Sequence, residues 1–100
     1  MKPVTVINRL AIKPGRIDEF IATQREFATA LPSCGLIGGR MYRSRDDRFA
    51  VLVSVFESVA AYEAVMQRPE FKDHMRRLAP LVDSSSPAVY EEAYTTGSFG

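Results

Sequence analysis

Two side chains in this sequence have both the chemistry and the setting to act on a small molecule. Asn8 interrupts an apolar alternation made by Val4, Val6, Leu10 and Ile12. A carboxamide offers two N–H donors and one acceptor oxygen, and left unpaired in a core it costs about 1–3 kcal/mol. It must therefore bond either neighbouring backbone or a ligand. His74 is the only histidine, and an unperturbed pKa of about 6.5 makes it the one side chain here that trades protons near neutrality. The plain structural alternative for each is a core asparagine satisfied by backbone and a half-buried histidine bonded to a carbonyl. Cys34, the single cysteine, has no clustered histidine or basic neighbour to lower its pKa. The sequence holds no Cys/His cluster with metal spacing, no GxGxxG, no P-loop and no GxSxG, so neither a metal nor a cofactor is expected.

The stretch that must position these groups runs from Phe49 to Met75: FAVLVSVFESVAAYEAVMQRPEFKDHM. In an extended chain Phe49, Val51, Val53 and Val55 point one way and Ala50, Leu52, Ser54 and Phe56 the other. Both faces are largely apolar, so the strand needs two covers, helices on one side and, in so short a chain, a second copy of itself on the other. A homodimer with sheets packed face to face is the expected assembly.

Elsewhere the pattern is legible in order. A first strand spans about Pro3 to Ile12. After Lys13, Pro14 and Gly15, the residues Ile17, Phe20, Ile21, Gln24, Phe27, Ala28 and Leu31 recur at helical spacing, and the helix ends before Pro32. LIGGRMYRS forms a second strand weakened by Gly38 and Gly39. Arg45 to Arg48 turns it back as a hairpin into the third. Ser58 is an N-cap for a helix to about Gln67, with Val59, Tyr62, Val65 and Met66 on its buried stripe. Pro69 opens another helix, on which Phe71, His74, Met75, Leu78 and Leu81 share one side. Ser84, Ser85, Ser86 and Pro87 are read as a polar break, AVYEEAYTT as the last strand, and Thr96 to Gly100 as a loose tail. The order is satisfied by an α+β, ferredoxin-like βαββαβ domain whose four-stranded antiparallel sheet carries helices on one face.

One hundred residues make a single domain. With 13 Lys and Arg against 12 Asp and Glu, the formal charge is +1, which supplies no field for nucleic acid. No signal-like or membrane-spanning apolar run is present. Together with one unpaired cysteine, this points to the cytoplasm.

The segments VINRLAIKPGRIDEF, VFESVAAYEAVMQRPEFKDHM and AVYEEAY resemble the antibiotic biosynthesis monooxygenase family, small dimeric α+β barrel proteins, and the resemblance runs from about Val4 to Tyr94. It implies O2 chemistry on a planar aromatic substrate, without metal or flavin, in a pocket between each subunit's sheet and helices. In the haem-degrading branch, the first-strand asparagine corresponds to Asn8. The tryptophan position falls on Val65 and the histidine position on Met75, with His74 one residue earlier. Phe56 stands where relatives often carry tryptophan, which keeps aromatic stacking without the indole donor.

A cofactor-free oxygenase must ionise a phenol-like substrate, stabilise the anion and exclude water. On this resemblance Asn8 is the anion's donor, His74 the base or proton shuttle, and Phe56, Tyr62, Val65 and Met66 line the pocket. Arg9, Arg40 and Tyr42 are candidates to meet a polar substituent or the dimer seam; the plain alternative, exposed strand residues, is the favoured one for Arg9. The expected function is a monooxygenase acting on a quinol, anthrone or similar polyphenol. The alternative is a non-catalytic barrel that binds a small aromatic metabolite or haem.

Overall fold

A computed structural model describes residues 2–31 and 34–99. Pro32, Ser33 and the end of the tail at Gly100 lie outside the described residues. The order is β1 (Val4–Ile12), α1 (Ile17–Ala30), β2 (Leu36–Arg43), β3 (Phe49–Phe56), α2 (Val59–Met66), α3 (Pro69–Leu78), a 3-10 turn (Ala79–Leu81) and β4 (Val82–Tyr90). The strands lie in the order β2-β3-β1-β4, every neighbour antiparallel, with the helices packed on one face. This is the ferredoxin-like α+β arrangement. None of the helices among the described residues is long and apolar enough to cross a membrane.

The alternation in β1 divides the domain. Val4, Val6, Leu10 and Ile12 are buried under the helices, but they belong to two separate clusters. Leu10 and Ile12 pack with Ile17, Phe20, Ala50, Leu78 and Leu81, whereas Val4 and Val6 pack with Phe56 and Val65. Asn8 sits at the division. Its opposite faces on the sheet tell the complementary story: Ile7 pairs with Val53, and Arg9 with Val51, on the side away from the helices. Arg9 lies over the Phe49 ring at 3.9 Å, and Tyr42, opposite Val51, is exposed. That face is an apolar surface with a basic edge.

Local chemistry fixes the element ends. Ser44 Oγ accepts the N–H groups of Arg48 and Phe49 at the hairpin turn. Gly35 has φ +86° and a Cβ there would lie 2.7 Å from the Ala61 Cβ, so the approach to β2 requires glycine. Gly39 passes close to the Val53 carbonyl, beside the register shift between Leu36 and Gly38. Ser58 caps α2 by accepting the Ala61 N–H at 3.1 Å. Ser58→Ala is expected to lower stability by about 1 kcal/mol, read as a lower urea midpoint with an unchanged m-value.

The structure corrects the last strand. It begins at Val82 and ends at Tyr90, so Ser84, Ser85, Ser86 and Pro87 lie inside it and Glu91 to Tyr94 outside it. The physical reason is position: β4 is an edge strand bonded to β1 alone. Its side chains are mostly exposed, so serine is tolerated there, and an edge also accommodates a proline that lacks an N–H. Two smaller corrections concern the stripes. Val59 and Met75 are exposed rather than buried, because each lies at the margin of its helix's apolar arc.

Candidate functional site

Where the two core clusters separate, a cavity of about 800 Å³ opens between the sheet and the three helices. This is the size and placement of a small-molecule site. Asn8, Phe56, Tyr62, Val65, Met66 and His74 all line it. The elements explain the convergence. Asn8 and Phe56 lie on the helix-facing side of β1 and β3, Val65 and Met66 end α2, and His74 occupies the buried side of α3. The lining is mainly apolar, and among the described residues it includes Arg25, Arg40 and Arg43 but no Asp or Glu. An anion formed inside meets no like charge.

Asn8 is partly used by the fold. Its Oδ1 accepts the Ser86 N–H from β4 at 3.1 Å. Because only the oxygen can accept, this bond sets the amide's orientation and leaves its NH2 as the free donor. Tyr62 lies tilted against Phe56, ring centres 5.3 Å apart. Burial raises its phenol pKa, so at neutral pH it remains a protonated donor.

His74 is 4% exposed and stacked on Phe27, with ring centres 4.0 Å apart and planes 4° from parallel. Its Nε2 lies 2.6 Å from Gln24 Oε1, and its Nδ1 is buried without a partner among the described residues. Burial, then the nearby Arg77 guanidinium, push its pKa down from 6.5 to about 4. Arg77 is itself 3.6 Å from Glu26 on α1. The imidazole is neutral at pH 7.

Stability takes a definite pH dependence from this. The unfolded chain binds a proton at His74 near 6.5, and the folded chain only near 4. Between those values the unfolded state holds more protons. The stabilisation is therefore complete above pH 6.5 and is lost progressively as pH falls towards about 4. The full interval corresponds to about 3 kcal/mol, and to about 2 once solvent screening is allowed for. Urea unfolding of the native protein and His74→Phe across this range should diverge by that amount, with the native protein the more acid-sensitive.

Gln24 is the site residue that chemical motifs did not single out. It sits in α1 among Ile17, Phe20, Ile21 and Phe27, half-buried, and lines the same cavity. The available signal was a polar amide within an otherwise apolar helical stripe. No group of three or more potential metal ligands occurs among the described residues.

Residues 3–77 match the model of the family described as antibiotic biosynthesis monooxygenase. SnoaB, a cofactor-independent oxygenase from Streptomyces nogalater, has the same fold, with a TM-score of 0.78 at 23% identity over 95% of this chain and 97% of that one. Rv0793 from Mycobacterium tuberculosis superposes with a TM-score of 0.80 at 19% identity, covering 96% of this chain and 100% of its own. PA3566 from Pseudomonas aeruginosa gives 0.77 at 19% identity, over 93% and 97%. No curated protein matches the sequence. With the family model spanning the first three strands and all three helices apart from the last residue of α3, on a sheet in the ferredoxin-like order, the chain belongs to the antibiotic biosynthesis monooxygenase family.

Proposed function

We propose that this protein is a cofactor-independent monooxygenase that oxidises a quinol, anthrone or similar polyphenolic aromatic with O2. The observation that carries the reading is the cavity: lined mainly by apolar side chains, supplied with N–H and O–H donors from Asn8, Gln24 and Tyr62, bordered by Arg25, Arg40 and Arg43, and free of carboxylates among its described residues. Such a site favours the delocalised anion of a phenol or enol over its neutral form, because fixed donors gain strength as charge develops and water is kept away. Electrons balance without a cofactor. When an anthrone methylene becomes a carbonyl, one atom of O2 enters the product, the other leaves as water, and the substrate supplies all four electrons.

Asn8 is the proposed donor to the anion, through the NH2 left free by the Ser86 bond. His74 is the proposed second participant, and Phe56, Tyr62, Val65 and Met66 the proposed walls. Its Nδ1 is enclosed and its folded-state pKa of about 4 makes the imidazole a weak base, so its part is played through the Gln24 contact and not by direct proton abstraction. Substrates whose hydroxyl ionises near neutrality need no such base. That SnoaB is a cofactor-independent oxygenase supports the reading. A second copy, packed on the apolar sheet face around Ile7 and Val53, is the proposed partner, and the cytoplasm the proposed compartment.

Haem does not suit the residues present. An axial imidazole needs a nitrogen lone pair facing the ligand, whereas His74 Nε2 is engaged by Gln24 and Nδ1 is walled in.

The test is oxygen uptake by the purified, metal-free protein against quinols and anthrones. Uptake well above the buffer rate is expected. A spectral shift on adding an aromatic ligand, with no uptake across the panel, would instead make this a binding protein.

A further inference from the structure

The geometry points to Gln24 as a second substrate donor, lining the same cavity as Asn8 from the helix layer and held in its working orientation by His74. The inference rests on the reading of the cavity as a site for oxygenated aromatics, and assigns its polar partners.

The contact is between His74 Nε2 and Gln24 Oε1, at 2.6 Å. An amide oxygen can only accept, so Nε2 carries the proton and donates. The reversed arrangement, with the Gln24 NH2 donating to a bare Nε2, would move the ring proton to Nδ1. That nitrogen is buried with no partner among the described residues, and an enclosed orphan N–H is rarer and costlier than an enclosed lone pair. The tautomer is thus determined, and with it the amide: its oxygen faces His74, and its NH2 is turned away.

That NH2 has no protein partner among the described residues and is not one of the enclosed polar atoms. Gln24 also lines the cavity. The pair is well braced, since the imidazole lies flat on Phe27, one helical turn from Gln24 on the same helix. A histidine with one ring nitrogen unsatisfied is an expensive way to join two helices; an apolar residue would do that better. Fixing an amide accounts for the arrangement.

The cavity then presents one amide donor from the sheet and one from α1. The class of substrate this suits has oxygen substituents at separate positions of a planar ring system, such as a hydroxylated anthrone or quinone. His74 is a positioning residue in this assignment, and Gln24 touches the substrate.

The experiment is binding, independent of turnover, with two probes: 1,8-dihydroxyanthraquinone and anthracene, followed by fluorescence. The native protein is expected to bind the oxygenated probe about tenfold more tightly or better. Gln24→Met, close in shape but without donors, should reduce that preference to under threefold while leaving anthracene affinity unchanged. Gln24→Glu keeps an acceptor for His74 yet has no N–H, and should lose the preference too; a residue serving only as a helix prop would retain it. His74→Phe should match Gln24→Met, and the double variant should be no worse than either. Preference surviving in both Gln24 variants overturns the assignment while leaving the oxygenase reading intact. A native protein that does not prefer the oxygenated probe overturns both.

Discussion

Asn8→Ala is expected to lower the maximal rate of oxygen uptake about 100- to 1,000-fold, the usual consequence of removing one preorganised donor from a developing oxyanion. The effect should fall mainly on kcat. A hydrogen bond to a neutral phenol or ketone is modest, whereas the same bond to the anion that reacts with O2 is charge-assisted and roughly twice as strong. A complication is built into the fold, because the Asn8 oxygen also accepts the Ser86 N–H and so ties β4 to β1. Alanine therefore costs about 1 kcal/mol of stability in addition. Asn8→Asp separates the two roles. Its carboxylate still accepts from Ser86 but donates nothing, and it places a negative charge where the anion must form. The aspartate variant should unfold close to the native temperature and be at least as slow as the alanine variant. Native-like uptake by either would remove Asn8 from the chemistry.

The reach of sequence reasoning differs between elements, for physical reasons. Strands β1 and β3 were legible because they are central, and burial on the helix side forces apolar residues at alternate positions. The helix starts were legible where a cap or a proline marks them, as at Ser58 and Pro69. Strand β4 was not, since an edge strand bonded on one side can be written in serine and proline without penalty. In the site, Asn8 stood out as a polar break in an apolar alternation, and that break is where the two core clusters part around the cavity. His74 stood out by type, but its environment could not be read from the chain. Its partner Gln24 lies 50 residues away, and the depression of its pKa comes from three-dimensional burial and Arg77. A sequence pattern records which side of a helix is apolar; it does not record which atom of a buried ring has a partner.

Val53→Lys is expected to convert the proposed dimer into a chain of 11.2 kDa in sedimentation velocity or light scattering. Val53 lies on the inner strand β3, opposite Ile7 on β1 and Arg40 on β2, on the face away from the helices. Two copies packed through this face would bury it, as stacked sheets about 10 Å apart bury their inner side chains. A lysine there has Arg40 directly opposite rather than a counter-charge, so its ammonium would be buried unpaired. That costs at least several kcal/mol. In an interface with twofold symmetry one substitution is present twice. Even about 4 kcal/mol in all weakens association about a thousandfold. The separated chain should stay folded, because in a monomer this position is at the surface and Phe20, Ala50 and Leu81 on the helix side are untouched. Circular dichroism should therefore remain native while the mass halves. If the native protein already sediments at 11.2 kDa at micromolar concentration, the apolar sheet face is not closed by a second copy.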